Sequence, residues 1–409
     1  ALDPSRGAPY HPEKMPTLLV LGGGQLARMM LPAARRLDIT LAVLDPHPRC
    51  PACAGADRAI TGDFSDYETV LRAAETIEPD VATIEIEHVS IDAMAELARR
   101  GVPVFPGAET VATINDKLRQ RRRLAEAGLP MPRFIATPNE DDLATSGPHG
   151  SGGGDGKLSE AIRELGLPAV QKLRFGGYDG RGVAVVREAA DKLPLRGPSM
   201  LEEHAPIAAE LAVLVARRRS GDTAVYEPFE MEMDQELNLL RSVFYPASPD
   251  TAVCRRAKEV AVAAAEALSI VGVSAVELFL TTDGDVLVNE VAPRPHNSAH
   301  LTMEAAETDQ FEQHLRAIFD LPLGSVAMRG PAAMRNLVAS GESGPTRYVG
   351  LEKALAIPGV HPHLYGKRES RPGRKMGHIT VFAETLDIAR QRAGEAAAVL
   401  RVEGPSPDE

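Results

Sequence analysis

Hydrophobic residues in the first part of the chain form short runs that alternate with segments of helical periodicity. Apolar runs at 18–21, 39–44, 81–85 and 102–105 predict strands, and the segments 25–37, 67–75 and 91–100 predict helices. Strands that alternate with helices pair in parallel, since each helix carries the chain back across the sheet. The pattern therefore predicts a parallel α/β domain at the N-terminus.

After residue 116 the pattern changes. Residues 116–127 predict a helix, and the Gly-, Ser- and Asp-rich stretch 139–158 predicts a flexible insertion. Strands are then predicted near 169–173, 183–186, 199–203, 210–217 and 239–244, followed by a helix at 251–268, short strands, and a last helix at 386–400. The predicted organisation is a disordered extension at 1–14 and three domains at 15–115, 116–330 and 331–409.

Composition limits the possible partners and compartments. A net charge of −12 argues against nucleic acid or an anionic membrane as a partner, because both would be repelled. No apolar run is long enough to span a bilayer, and we expect a cytoplasmic protein. The cysteines are too few for a disulfide framework, and we interpret Cys50 and Cys53 as two loop thiols.

The turn Gly22-Gly23-Gly24 follows the first predicted strand and opens the first helix. Backbone amides at a helix N-terminus favour a phosphate or another anion. Asp45, at the end of the second strand, lies where a dinucleotide-binding fold carries its ribose-binding acid. This turn supports an NAD-dependent oxidoreductase as one alternative, and tight packing without a ligand as another.

A second glycine-rich loop, at 176–182, follows a predicted strand that carries Lys172. Its four glycines are more than a plain hairpin requires, and Asp179 and Arg181 lie among them. Such a loop can fold its amides over phosphoryl oxygens while a lysine supplies positive charge. The segment predicts a phosphate-binding loop.

Two strand-like runs, 273–280 and 286–291, flank the turn signal Asp283-Gly284. A two-residue turn at that position places Glu277 opposite Glu290, with Cβ atoms about 5 Å apart. Two carboxylates at that distance repel each other unless a cation lies between them. Oxygen ligands of this kind predict a magnesium ion that bridges to a nucleotide phosphate.

Two further segments concentrate polar side chains. Residues 289–300 place Asn, Arg and His side chains between prolines, which predicts a wall of a substrate site. Residues 365–378 gather five basic residues in an otherwise acidic protein, and a phosphate group of a second substrate is the expected partner.

Four motifs occur in one order: Gly-Gly-Gln-Leu at 23–26, Gly-Gly-Tyr-Asp-Gly-Arg-Gly at 176–182, Asn-Glu-Val-Ala-Pro-Arg-Pro-His-Asn-Ser at 289–298, and Arg-Lys-Met-Gly-His at 374–378. Together they resemble the N5-carboxyaminoimidazole ribonucleotide synthetases, and the similarity extends from Met15 to about Leu400. The resemblance implies an ATP-grasp fold with an N-terminal Rossmann-like pre-ATP-grasp domain and a small β-rich C-terminal domain, usually in a homodimer. It also implies a ligase that uses ATP and Mg²⁺ to form carboxyphosphate from bicarbonate, and transfers the released CO2 to the amine of 5-aminoimidazole ribonucleotide.

Carried over position by position, the resemblance implies roles for individual residues. The implied ATP contacts are Lys117, Lys172, Gly176, Gly177, Tyr178, Asp179, Gly180, Arg181, Gly182, the hinge residues Glu202 and Glu203, Glu210, Asn289 and Glu290. The implied metal ligands are Glu277 and Glu290. The implied contacts to bicarbonate and the ribonucleotide are Gln25, Tyr178, Arg181, Arg294, His296, Asn297, Lys367 and Arg374. The implied catalytic residues are Asp179, Arg294, His296 and Lys367, with either Asp179 or His296 as the proton acceptor.

Met231 and Met233 depart from the family, whose members often carry Asn and His at these positions, so a polar nucleotide contact is in question. Three alternatives follow. A formate-dependent purine transformylase would share the first domain and the carboxylate hairpin. An NAD-dependent oxidoreductase would leave that hairpin unexplained. An inactive nucleotide-binding subunit would bind ATP without turnover.

Overall fold

The computed structural model describes residues 15–137, 160–176, 182–188, 193–234 and 236–404. The chain divides into two compact units, with the boundary between Phe105 and Pro106. The predictions for the extension at 1–14, for the insertion at 139–158 and for loop residues 177–181 lie outside the described residues. None of the described helices combines the length and apolar character that a membrane span requires.

The first unit is a parallel α/β layer. Its sheet has the order β3-β2-β1-β4-β5, with β1 at Thr17–Leu21, β2 at Thr40–Asp45, β3 at Arg58–Thr61, β4 at Val81–Ile84 and β5 at Val104–Phe105. The helices are α1 at Gln25–Arg36, α2 at Tyr67–Ile77 and α3 at Ile91–Arg99. Strands β1, β2 and β4 are almost wholly buried, as expected for a parallel sheet covered on both faces.

One short strand of this unit, β3, was not predicted, because its sequence Arg-Ala-Ile-Thr has little apolar character and most of it is exposed. A second difference concerns the cysteines. Cys50 and Cys53 are joined by a disulfide in the structure, so their interpretation as two separate loop thiols is wrong. The bridge closes a tight turn, and the amide of Ala52 within it donates to the carbonyl of Gly23 at 2.8 Å.

The second unit begins with α4 at Ala108–Asn115 and α5 at Lys117–Glu126, and Asp116 caps α5 by accepting from the amides of Leu118 and Arg119. A small antiparallel sheet follows, in the order β6-β9-β7-β8. Its strands are β6 at Phe134–Ala136, β7 at Ala169–Leu173, β8 at Val183–Val186 and β9 at Ser199–Glu203. Residues 160–165 are helical and cover one side of this sheet with Ile162 and Leu165.

A nine-stranded sheet forms the rest of the second unit, in the order β15-β14-β10-β12-β13-β16-β21-β19, with β11 beside β10. Its strands are β10 at Ile207–Arg217, β11 at Thr223–Val225, β12 at Phe229–Asp234, β13 at Leu239–Tyr245, β14 at Gly272–Thr281, β15 at Val286–Ala292, β16 at Ala332–Val338, β19 at Val360–Leu364 and β21 at Lys375–Phe382. Two small pairs join β17 at Gly344–Pro345 to β20 at Glu369–Ser370, and β18 at Arg347–Val349 to β22 at Arg401–Glu403. The helices are α6 at Thr251–Ala267, α7 at Thr302–Ala305, α8 at Gln310–Ile318, α9 at Leu351–Leu355 and α10 at Leu386–Val399, with a 3₁₀ turn at Asn297–Ala299.

The large sheet is continuous across the predicted boundary at residue 331, because β13 pairs with β16. Helix α6 covers one face with its alanines, which allow close approach to the sheet, and α10 covers the C-terminal strands. The predicted C-terminal domain 331–409 therefore shares its sheet with the domain before it, and its boundary stays a prediction.

Gly350 tests how tightly α10 packs against the loop before α9. Its φ is +86°, and an added Cβ would overlap the carbonyl oxygen of Val399, which is backbone and cannot rotate away. We expect Gly350→Ala to lower the free energy of unfolding by about 2–5 kcal/mol. Gly341→Ala is the control, with a similar φ of +77° and no atom within 4 Å, and should lose about 1 kcal/mol. Equal losses in chemical denaturation would contradict this packing.

Candidate functional site

The carboxylate hairpin lies at the edge of the large sheet, and Glu277 pairs with Glu290 as predicted. The predicted two-residue turn is wrong. Leu280 pairs with Val286, so the loop has three residues between Thr281 and Asp285, and the amide of Gly284 donates to the Thr281 carbonyl. A β-bulge restores the predicted pairing, because Leu278 pairs with Val288 and leaves one extra residue on β15.

That extra residue is Asn289, and the bulge directs it toward the small sheet. Its side-chain oxygen accepts from Nζ of Lys172 at 3.0 Å, and its backbone carbonyl accepts from Nη2 of Arg121 at 2.6 Å. Arg121 also donates to the carbonyl of Val288 at 3.2 Å. The bulge therefore connects the carboxylate hairpin to α5 and to β7.

A lysine and a histidine lie close to the carboxylate pair. Nζ of Lys117 lies 2.9 Å from Oε1 of Glu290, and Nδ1 of His296 lies 3.6 Å from Oε1 of Glu277. Burial, followed by the charges of Glu290 and Glu210, raises the pKa of Glu277 to about 8. The side chain of Glu290 is 48% exposed; desolvation opposes its ionisation, but Lys117 outweighs this and lowers the pKa of Glu290.

This arrangement fits a divalent cation. Within the described residues, no group of three or more His, Cys, Asp and Glu side chains could hold a metal ion by itself. Magnesium in phosphoryl-transfer sites takes one or two carboxylates and completes its shell with phosphate oxygens and water. Burial contributes most to the raised pKa of Glu277, and repulsion by Glu290 adds to it; a cation between Glu277 and Glu290 would relieve that repulsion.

A buried ion triad lies next to the carboxylate hairpin. Glu202 accepts from Nε of Arg121 at 2.6 Å and from Nζ of Lys172 at 2.8 Å, and these side chains are 2%, 2% and 11% exposed. Burial would raise the pKa of Glu202, but the two cations outweigh it and lower that pKa to about 2. Burial lowers the pKa of Lys172, and the charge of Arg121 lowers it further, although Glu202 opposes this shift.

Arg121 was not among the predicted site residues; it lies in the run Arg121-Arg122-Arg123 within the predicted helix 116–127. A signal was present. Leu118, Arg121 and Leu124 are spaced three residues apart, so Arg121 lies on the buried face of α5 between two leucines.

The remaining nucleotide candidates lie along the same strands. Glu203 pairs with Nε of Arg133 at 2.7 Å, and burial raises the pKa of Glu210. In the sheet register Glu210 pairs with Met231, which is 7% exposed and packs into the hydrophobic core, as Met233 does in part. Gly176 and Gly182 have φ angles of +71° and +77°, and Gly177, Tyr178, Asp179, Gly180 and Arg181 lie outside the described residues.

The substrate candidates on the second unit are held by backbone and amide groups. The amide of His296 donates to Oε1 of Gln310 at 2.8 Å, and Asn297 exchanges two hydrogen bonds with Asn336. Arg294 donates to the carbonyl of Pro295 at 3.2 Å, Lys367 to that of Lys375 at 2.8 Å, and Arg374 to that of Glu369 at 2.7 Å. The structure brings His296 to the carboxylate pair.

In the first unit, carboxylates of the protein itself accept hydrogen bonds from the amides of the glycine turn. The carboxylate of Glu85 accepts from the amides of Gly24 at 2.5 Å and of Leu26 and Ala27 at 3.1 Å each. Asp45 accepts from the amide of Gly23 at 2.9 Å. The protein's own carboxylates therefore satisfy the amides at this helix N-terminus, which agrees with the alternative of tight packing without a ligand. Gln25 is the first residue of α1 and is half-buried.

Comparisons with known proteins agree with this architecture. Family models match as the ribonucleotide synthetase pre-ATP-grasp domain at 15–115, the ATP-grasp domain at 122–311 and the phosphoribosylaminoimidazole carboxylase C-terminal domain at 332–392. The N5-carboxyaminoimidazole ribonucleotide synthase of Synechococcus elongatus is 39% identical, with 95% of each chain covered.

Solved structures are similar over the same length. The N5-carboxyaminoimidazole ribonucleotide synthetase of Thermotoga maritima has a TM-score of 0.84 at 38% identity, covering 96% of this chain and 100% of that one. The Aspergillus clavatus synthase in complex with ADP and 5-aminoimidazole ribonucleotide has a TM-score of 0.82 at 32% identity, covering 94% of this chain and 99% of that one.

The ion triad predicts a difference between two adjacent glutamates. Glu202→Gln leaves two buried cations without a counter-charge, and we expect the free energy of unfolding to fall by about 3–5 kcal/mol. Glu203→Gln is the matched control, because its partner Arg133 is 63% exposed and surface ion pairs contribute at most about 1 kcal/mol. Equal effects in denaturant titrations would contradict the role of the triad.

The low pKa of Glu202 also predicts that its contribution to the free energy of unfolding depends on pH. Glu202 has a folded-state pKa of about 2 against an ordinary value of 4.5, so its stabilisation is complete above pH 4.5 and is lost as the pH falls toward 2. The stability gap between the wild type and Glu202→Gln should therefore be constant near neutral pH and narrow below pH 4.5. A gap that stays constant down to acid unfolding would exclude this shift.

Proposed function

The chain belongs to the N5-carboxyaminoimidazole ribonucleotide synthase family of ATP-grasp ligases, and we propose that it carboxylates 5-aminoimidazole ribonucleotide in an ATP-dependent reaction of purine biosynthesis. The predicted family, enzyme class and fold are confirmed: an ATP-grasp domain between a pre-ATP-grasp domain and a C-terminal domain of the carboxylase type. The NAD-dependent oxidoreductase is excluded by this membership.

The observation that carries the proposal is the opposed pair Glu277 and Glu290, with Lys117 and Lys172 beside it. Two acids and a lysine on strands, with Lys117 at the start of α5, suit a nucleoside triphosphate, whose phosphates need both a metal and direct positive charge. Mg²⁺ held by Glu277 and Glu290 would neutralise phosphate charge during transfer. Lys117 would then leave Glu290 for a phosphate oxygen.

The proposed chemistry has two steps. An oxygen of bicarbonate attacks the γ-phosphorus of ATP, which gives carboxyphosphate and ADP. Carboxyphosphate then breaks into phosphate and CO2, and the amine of the ribonucleotide adds to the carbon of CO2 and loses one proton. Asp179 or His296 accepts that proton, and Arg294 and Lys367 stabilise negative charge on the phosphoryl group.

We assign adenine recognition at Glu202–Glu203 to the backbone, because the carboxylate of Glu202 is committed to the buried ion triad. Glu210 lies one strand from the metal pair and is assigned to the ribose of ATP. The glycine loop 176–182 would close over the phosphates and exclude water, which a carboxyphosphate intermediate requires.

The ribonucleotide is assigned to the polar wall and the basic cluster. We propose that Asn297, Lys367 and Arg374 contact it, with Gln25, Tyr178 and Arg181 contributing further contacts. Burial and the nearby charge of Arg371 lower the pKa of Arg374, so a phosphate group would be a favourable partner for this guanidinium. Bicarbonate as the carbon source, a homodimer and a cytoplasmic location complete the proposal.

The test is ADP release with Mg-ATP and bicarbonate, with and without 5-aminoimidazole ribonucleotide. We expect the wild type to release ADP only with the ribonucleotide, and Glu290→Gln to reduce that rate roughly 100-fold or more through loss of electrostatic stabilisation. Asp285→Asn is the control, because this acid lies in the exposed turn of the same hairpin. Its rate should equal that of the wild type.

Two outcomes would overturn the proposal. Release that requires formate and a related ribonucleotide would identify a formate-dependent transformylase instead. ATP binding without any turnover would identify an inactive nucleotide-binding subunit.

A further inference from the structure

A buried polar row crosses the C-terminal strands behind the substrate candidates. Asn336 on β16 pairs with His378 on β21, which pairs with His363 on β19, so their side chains share one face of the sheet. The His378 ring stacks between those of His300 and His363, with centroid distances of 4.6 and 4.5 Å. Tyr365, only 1% exposed, closes the row with its hydroxyl 3.1 Å from Nδ1 of His378.

In the hydrogen bonds between Asn336, Asn297 and Tyr365, the donor and the acceptor can be assigned. Nδ2 of Asn336 donates to the carbonyl of Leu240 at 2.8 Å, and a carbonyl can only accept, so the orientation of the Asn336 amide is fixed. Asn336 then also donates to Oδ1 of Asn297 at 2.7 Å and accepts from Nδ2 of Asn297 at 2.9 Å. The second hydrogen of that Nδ2 points to the Tyr365 hydroxyl at 3.4 Å.

The Tyr365 hydroxyl accepts from Asn297 and also lies 3.1 Å from Nδ1 of His378, a contact in which the tautomer of His378 decides which group donates. Burial, together with the neighbouring His300 and His363 rings, lowers the pKa of His378 well below its ordinary value and keeps it neutral. The chain from Leu240 to His378 thus holds the Asn297 amide in a single orientation.

The ring of the same tyrosine contacts a second substrate candidate. Nζ of Lys367 lies 5.3 Å from the Tyr365 ring centroid, within the range of a cation–π interaction. Lys367 comes from the basic cluster and Asn297 from the polar wall, which are about 70 residues apart in sequence. Tyr365 connects the two segments.

We propose that Tyr365 is a positioning residue for the ribonucleotide: its hydroxyl orients Asn297, and its ring places Lys367. This inference rests on the proposed function. Tyr365 itself contacts neither ATP nor the reacting atoms, so its loss weakens ribonucleotide binding and leaves ATP binding intact. A tyrosine with a purely structural role would lower stability without this selectivity.

The test compares Tyr365→Phe with Tyr348→Phe by steady-state kinetics and thermal unfolding. Tyr348 also donates its hydroxyl hydrogen within this region, to the carbonyl of Met376 at 2.8 Å, so both variants lose one hydroxyl. We expect Tyr365→Phe to raise KM for the ribonucleotide roughly tenfold, the effect of one buried hydrogen bond, with little change in KM for ATP. Tyr348→Phe should change neither KM.

A double-mutant cycle tests the route through Asn297. If Tyr365 acts through that amide, Tyr365→Phe combined with Asn297→Ala should raise KM for the ribonucleotide no further than Asn297→Ala alone. Additive effects, or equal changes in the KM values of ATP and the ribonucleotide, would overturn this inference. ADP release by the wild type at the same rate with and without the ribonucleotide would instead overturn the proposed function. The two failures are therefore distinguishable.

Discussion

The second unit depends on one electrostatic constraint: two glutamates, Glu277 and Glu290, directly oppose each other on neighbouring strands. Like charges in this position destabilise a sheet, and burial makes the repulsion stronger. The fold offsets it with Lys117, whose Nζ lies 2.9 Å from Oε1 of Glu290. A divalent cation and phosphate groups would complete the charge balance of this pair.

The β-bulge at Asn289 connects the glutamate pair to the charged residues Arg121 and Lys172. Its extra residue exposes a backbone carbonyl to Arg121 and a side-chain oxygen to Lys172. The same two cations hold Glu202 on β9. The small sheet, α5 and the carboxylate hairpin are thereby tied by a buried network rather than by apolar packing alone. Such networks fix geometry, because each unpaired charge would be costly.

The sequence predicted the fold and the Glu277–Glu290 pair, because strand patterns and a turn signal are local. It did not predict that a three-residue loop and a bulge would offset each other, since both depend on where Asn289 finds partners. Glu85 accepts from an amide of the glycine turn about 60 residues earlier in the sequence, and a contact over that separation leaves no local signal. The burial of Arg121 did leave one, in its spacing from two leucines. The roles of the site residues stay predictions.

The central claim is that Glu277 and Glu290 together bind the metal that accompanies the nucleotide. Anomalous diffraction from crystals of the protein grown with Mn²⁺ and a non-hydrolysable ATP analogue tests it directly. We expect a manganese peak about 2.1 Å from an oxygen of each glutamate, with Nζ of Lys117 moved from Glu290 to a phosphate oxygen. A metal bound by the nucleotide alone, with the Lys117–Glu290 ion pair intact, would contradict it.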